Sequence, residues 1–167
     1  MKALRFGAAT LSLAVALLWS IAAHAANVAY LSGGAGCPLF TSGLYRIAAA
    51  LTARGFETHV GCSFPIAQIL ARRRDNVFLI GHSYGAAHAG EACDQLAARG
   101  MRVKVIGIDA LFTGARTHCA GAVHIYGQGY PMPGARNELV RSSYGHIAFT
   151  QDPNVQRRVL AAAGVGR

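Results

Sequence analysis

The chain has 167 residues and a formal net charge of +9, with 53% hydrophobic residues. That length fits one domain rather than two. The excess charge is nearly all arginine, without interleaved aromatics or a nucleic-acid motif, so nucleic acid is excluded as a partner and the charge reads as a solvated basic surface open to contact with anionic surfaces.

Lys2 and Arg5 precede an apolar run from Phe6 to Ala23 that ends at Ala23-His24-Ala25. A basic start, an apolar stretch and a small-x-small end are the pattern of a secretory signal peptide. Residues 1–25 are therefore expected to be removed on export, leaving 26–167 as a single domain with no length for a lid. The rival reading, an uncleaved anchor, rests on the length of the run, which approaches the roughly 18 to 20 residues that span a bilayer; the cleavage pattern favours removal.

Val28 to Leu31 predicts a short strand that feeds the glycine-rich segment Ser32-Gly33-Gly34-Ala35-Gly36. Leu44, Ile47, Ala48 and Leu51 recur at helical spacing, and Gly55 closes that helix. Thr58 to Cys62 predicts a second strand, followed by a short helical piece after Pro65. The unbroken apolar run Val77 to Ile80 marks a central parallel strand covered on both faces. Gly81-His82-Ser83-Tyr84-Gly85 then leads into an alanine-rich helix from Ala86 to Ala98. Further strands are expected at Val103 to Ile108, Val123 to Tyr126 and, more weakly, Glu138 to Val140. The last helix starts at Asp152-Pro153, with aspartate as cap and proline in the first turn. Strands alternating with helices predict an α/β three-layer sandwich with a mostly parallel sheet of five to six strands.

In such sheets the working residues gather at the carboxyl ends of the strands. G-x-S-x-G is weak as a bare pattern. At a strand–turn–helix junction it is specific, because the tight turn lifts the serine hydroxyl clear and the glycines allow strand and helix to cross closely. Ser83 is thus the candidate nucleophile. A serine needs a base. His59 and His124 fall within strands, His88 on a helix and His118 in a cysteine-bearing loop, while His82 adjoins the serine but points apart from it. His146, in a loop after the last strand, is the expected base. Of the acidic residues, Asp109 ends a strand at the correct edge and gives the order Ser83, Asp109, His146; Glu138 is the fallback. The oxyanion donors expected are the backbone N–H of Tyr84 and one from Gly34 or Ala35. The glycine-rich segment lacks the lysine and Ser/Thr of a phosphate loop. Gly127 to Gly134, at a strand end, is expected to form one wall of the site.

All four cysteines lie beyond the apolar run, and an even count in an exported chain implies two disulfides. Three pairings are possible. Cys37–Cys62 and Cys93–Cys119 are expected because each joins neighbouring elements. His118, Cys119 and His124 match no standard zinc spacing, so no metal is assigned.

Taken together, the Leu31-Ser32-Gly33-Gly34 segment, the Phe78–Gly85 elbow, Ile106-Gly107-Ile108-Asp109, and Gly145-His146-Ile147 followed by Asp152-Pro153-Asn154-Val155 resemble the α/β-hydrolase superfamily, in its lipase, esterase and thioesterase branches, as a minimal, lidless form. Two features depart from the usual member. The acid normally follows the next strand, where this chain has Gln128 and Gly129, although some lipases place it as here. The usual His-Gly of the oxyanion loop is Ser32-Gly33.

The expectation is an exported serine hydrolase, periplasmic or secreted, that cleaves carboxylic esters or thioesters through a Ser83 acyl-enzyme. It would act as a monomer on a small or lipid-like acyl ester, without a cofactor. The alternatives are acyl transfer by the same residues and a non-catalytic binding protein on a hydrolase scaffold.

Overall fold

A computed structural model describes residues 27–34, 37, 42–72, 74, 76–111 and 114–166. The expected signal peptide and Ala35 lie outside the described residues. Six strands are present: β1 (Val28–Ser32), β2 (Glu57–Gly61), β3 (Val77–His82), β4 (Val103–Ile108), β5 (Val123–Tyr126) and β6 (Arg136–Leu139). Among the described residues, four α-helices accompany them: α1 (Ser42–Thr52), α2 (Ile66–Arg72), α3 (Tyr84–Ala97) and α4 (Pro153–Ala162). The strands form one sheet in the order β2-β1-β3-β4-β5-β6, and every neighbouring pair is parallel. The sheet is thus wholly parallel.

Alternation along the strands builds the three layers. Ala29 and Leu31, Phe78 and Ile80, and Ile106 and Ile108 face Leu44, Ile47 and Leu51 of α1 and Val155 and Val159 of α4. Their neighbours Val28 and Tyr30, Val77 and Leu79, and Val105 face Ile69 of α2 and Ala89, Cys93 and Leu96 of α3. Both faces of β1 and β3 are buried, which is why these strands read as unbroken apolar runs.

Several boundaries move. β2 begins at Glu57 and β6 at Arg136, each earlier than expected. In β6 the pairing with β5, not burial, sets the strand: Arg136 to Leu139 is register-matched to Val123 to Tyr126 while mostly exposed. α3 begins at Tyr84, immediately after the serine, because the elbow itself supplies the first turn. The stretch before α4 is a 3-10 helix, His146–Gln151, rather than an open loop. Asp152 caps α4 as expected, its carboxylate accepting from Asn154 N–H at 2.7 Å with Pro153 in the first turn.

Both disulfides form as expected, Cys37–Cys62 and Cys93–Cys119. The first ties the segment after β1 to the end of β2. The second ties α3 to the segment before β5. Two disulfides fit an oxidising compartment. No helix among the described residues is long and apolar enough to cross a membrane.

Candidate active site

The sheet order reverses between β1 and β3: the chain leaves β1 for the outer strand β2, then returns to pair on the other side of β1. Such a switch point opens a crevice at the carboxyl ends of the two strands. Ser83 follows β3 there, and Gly34 lies just beyond the end of β1.

The elbow is a steric consequence of its sequence. A Cβ on Gly81 would strike the carbonyl oxygen of Gly85 and reach 2.6 Å from the nitrogen of Ala86; one on Gly85 would strike the carbonyl oxygen of Ser32. β3, α3 and β1 therefore approach one another more closely than any side chain allows. Ser83 itself sits at φ 58°, ψ −121°, a backbone state that costs a non-glycine residue about 1–3 kcal/mol. Its N–H donates to Ile108 and its carbonyl accepts from Ala86, at 2.9 and 3.0 Å, which holds the strained residue on both sides.

His146 opens the 3-10 helix and brings its imidazole between two partners. Its Nε2 lies 2.8 Å from Ser83 Oγ and its Nδ1 2.8 Å from Asp109 Oδ2. An ionised carboxylate can only accept, so Nδ1–H donates to Asp109. Nε2 is then left with a lone pair that accepts the serine hydroxyl proton. The backbone N–H of His146 donates to Gln128 Oε1 at 3.1 Å.

Asp109 is fully buried, at φ 47°, in the left-handed region that aspartate tolerates better than most residues. Burial by itself raises its pKa. The N–H of Gly127, the His146 ring and the N–H groups of Gly129 and Gln128 oppose this, and together they hold the carboxyl below its ordinary value. All three backbone groups donate to the same oxygen, Oδ1, at 2.8, 2.9 and 2.7 Å for residues 127, 128 and 129. Oδ2 is left for His146. The segment expected to form a wall of the site is thus, at residues 127–129, the cradle of its carboxylate. Gly129 has to be glycine, since a Cβ there would strike the Ala110 carbonyl oxygen and come within 3.0 Å of the Asp109 carbonyl carbon.

A further layer holds the Asp109 turn. The N–H of Ala110 donates to His124 Nε2 at 3.1 Å, so His124 carries its proton on Nδ1 and donates it to Asn137 Oδ1, also at 3.1 Å. Asn137 in turn pins the loop before β6, accepting from Met132 N–H and donating to the Met132 and Ala135 carbonyls. Burial lowers the pKa of His124, the Asn137 hydrogen bond and Asp109 opposing.

Where the sequence places the oxyanion donors, Gly34 (φ 60°) packs against the elbow so closely that a Cβ on it would lie 2.7 Å from Tyr84 Cβ and 2.9 Å from Tyr84 N. The backbone of Gly34 and the backbone nitrogen of Tyr84 thereby share the crevice beside Ser83. Ala35 lies outside the described residues.

The other candidates are placed elsewhere. Glu138 pairs with Arg136 and Arg158, and Asp109 is the carboxylate that reaches His146. His59 pairs with Glu57 and stacks on Tyr30, His88 pairs with Glu91, and His118 pairs with Asp94. His82 is buried beside the site. The sequence marks residues 127–134 only as a wall of the site; the 127–129 N–H cradle, Gln128 accepting from His146, and Asn137 were missed in it. The available signal was Gly-Gln-Gly at a strand carboxyl end, a pattern able to turn successive N–H groups toward one anion. No family model, curated protein or solved structure matches the chain.

Proposed function

We propose that the protein is a serine hydrolase of the α/β-hydrolase type that cleaves carboxylic esters or thioesters. The observation that carries this reading is the continuous relay Asp109–His146–Ser83, with 2.8 Å at both links and a strained serine at its end. Strain and a fully satisfied buried carboxylate are costly features that a merely structural turn has no use for.

In the reaction, Ser83 Oγ attacks the substrate carbonyl carbon as its proton passes to His146 Nε2. Asp109 stabilises the imidazolium through Nδ1–H and stays ionised. The oxygen that gains charge turns toward the N–H groups of Tyr84 and Gly34; losing one such donor typically costs about 10²–10³ in kcat. His146 then protonates the leaving alcohol or thiol as the tetrahedral centre collapses to the Ser83 acyl-enzyme. Water, deprotonated by the same imidazole, releases the acid and regenerates the serine.

The two disulfides support an exported protein, periplasmic or secreted. Its basic surface supports contact with anionic surfaces; one groove of about 610 Å³ is lined by Arg54, Arg157 and Arg158. Labelling with a fluorophosphonate probe tests the reading. An adduct on Ser83 of the folded protein, lost on heat denaturation and in Ser83→Ala, is expected. Folded protein without an adduct overturns it.

A further inference from the structure

A cleft of about 360 Å³ opens against the same backbone that flanks Ser83, its lining including Gly34, Tyr84, Phe64, Ile66, His88 and Glu91. It runs from the oxyanion side of the crevice along the exposed face of α3 to the segment that follows β2. Its volume lies at the small end of the range for ligand sites, about 300–1,000 Å³.

The chemistry of this lining differs from that of the surrounding surface. The chain carries 16 lysines and arginines against 7 acidic residues, yet neither lysine nor arginine is among the described residues that line the cleft. Glu91 supplies a carboxylate, 70% exposed at the side chain, and its ion-pair partner is His88 Nδ1 at 3.2 Å. Glu57 is committed to Arg72 and Arg74, and Glu138 to Arg136 and Arg158, whereas Glu91, like Asp94, is paired with a histidine and not with an arginine. Tyr84 is 43% exposed, its ring set at 71° to that of His88 with centroids 4.3 Å apart, and Phe64 adds a second aromatic side chain. Aromatic surface beside a carboxylate, with no lysine or arginine among the described lining residues, is the combination that holds an ammonium group. The arginines elsewhere on the surface are screened over about 8 Å at physiological ionic strength.

We propose that this cleft binds a cationic arm of the substrate, a primary or quaternary ammonium group carried on the acyl or the alcohol part of the ester. This assignment of substrate class rests on the esterase reading. The binding site itself does not need the chemistry and is measured apart from it.

The test has two arms. In the first, folded Ser83→Ala protein is titrated with butyltrimethylammonium and with its neutral isostere, in which carbon replaces nitrogen, while backbone amide shifts are followed by NMR. The ammonium should bind about five- to tenfold more tightly, from one exposed ion pair and one cation–π contact, with shifts centred on Glu91, Ala92 and Gln95. Glu91→Gln should remove the preference. In the second, wild-type kcat/KM is compared for two esters matched in length, one ending in trimethylammonium and the other in tert-butyl. The ratio should favour the cation about five- to tenfold, fall to about one in Glu91→Gln, and reverse in Glu91→Lys; taking the ratio cancels any general loss of activity. Equal affinities in the first arm, or shifts that map away from α3, overturn the cleft assignment. Fluorophosphonate labelling of Ser83 without any ammonium preference overturns it as well. Ammonium binding at α3 without labelling overturns the esterase reading and leaves the cleft site standing.

Discussion

His82 lies face to face with His146, the ring centroids 4.9 Å apart and the planes 28° from parallel, and its Nε2–H donates to the His146 carbonyl at 3.1 Å. One buried imidazole thus fixes both the ring and the backbone of the proposed general base. Burial first and the nearness of His146 second push His82 down to about 4, against the opposing pull of that hydrogen bond and of Asp109.

The consequence is a pH-dependent stability. An unfolded chain protonates this histidine near its ordinary value of about 6.5, whereas the folded protein does so only near 4. Between those values the unfolded state binds more protons, so stability is full above about pH 6.5 and falls as the pH falls toward 4. The contribution of His82 to that loss is on the order of 3 kcal/mol. The lowered pKa values of His124 and Asp109 act in the same direction. His82→Gln keeps a donor for the carbonyl and cannot be protonated. Its urea midpoint should therefore fall less than that of wild type between pH 7 and pH 4.5. Identical slopes for the two proteins would refute the assignment.

Asp109→Asn separates charge from shape. The amide oxygen can still accept from residues 127–129, but the amide nitrogen then faces His146 Nδ1. The imidazole must present a lone pair there, which moves its proton to Nε2 and leaves nothing to accept from Ser83. On the esterase reading, kcat should drop by about 10³–10⁴. The loss should be partly recovered at high pH, as hydroxide replaces the missing base. A variant within tenfold of wild type at pH 7 would show that the carboxylate does not orient the histidine.

Ser83 and His146 were legible because each is marked by local sequence, the one by glycines at a strand end and the other by its place between the last strand and an Asp-Pro helix start. The layers were legible for a similar reason: strands buried on both faces have to be apolar at every position. Asp109 was legible from its strand end, the chain order and the elimination of other acids, but its cradle was not, since those partners lie 18 to 20 residues further along the chain and donate from the backbone, where residue type leaves almost no trace. The same holds for His124, whose ring reads as an ordinary strand residue until Ala110 and Asn137 are brought to it across the sheet. Strand β6 was shifted because its pairing depends on β5 and not on any apolar pattern of its own.

Gly129→Ala tests the carboxylate cradle without touching a polar side chain. The added methyl meets backbone atoms of Ala110 and Asp109, which cannot swing away as a side chain would. Overpacking of this kind costs about 1–3 kcal/mol. Because the displaced atoms belong to the Asp109 turn, the Asp109–His146 link should lengthen and kcat fall at least tenfold at a temperature where the variant is still folded. By contrast, Gly114→Ala meets nothing among the described residues within 4 Å and should leave both stability and turnover unchanged. Wild-type turnover in Gly129→Ala would mean the cradle tolerates displacement and does not position the acid.

The two disulfides close loops of nearly equal span, 25 and 26 residues apart in sequence, so chain entropy assigns each a similar stabilisation of about 3 kcal/mol. Their positions differ. Cys37 N–H donates to the Gly34 carbonyl at 3.3 Å, and Cys62 lines the cleft beside Gly34, whereas Cys93 and Cys119 pack in the core between α3 and the sheet. Replacing either pair by serine or alanine should lower the urea unfolding free energy by about 2–4 kcal/mol. Only loss of Cys37–Cys62 should also lower kcat for a small ester, because it frees the segment that sets Gly34 against Tyr84. Measuring turnover well below the melting transition of both variants isolates this effect from stability. If the Cys93–Cys119 variant loses as much turnover as the Cys37–Cys62 variant, then Gly34 is held by the close packing of its own backbone on the elbow, and the disulfide serves the fold alone.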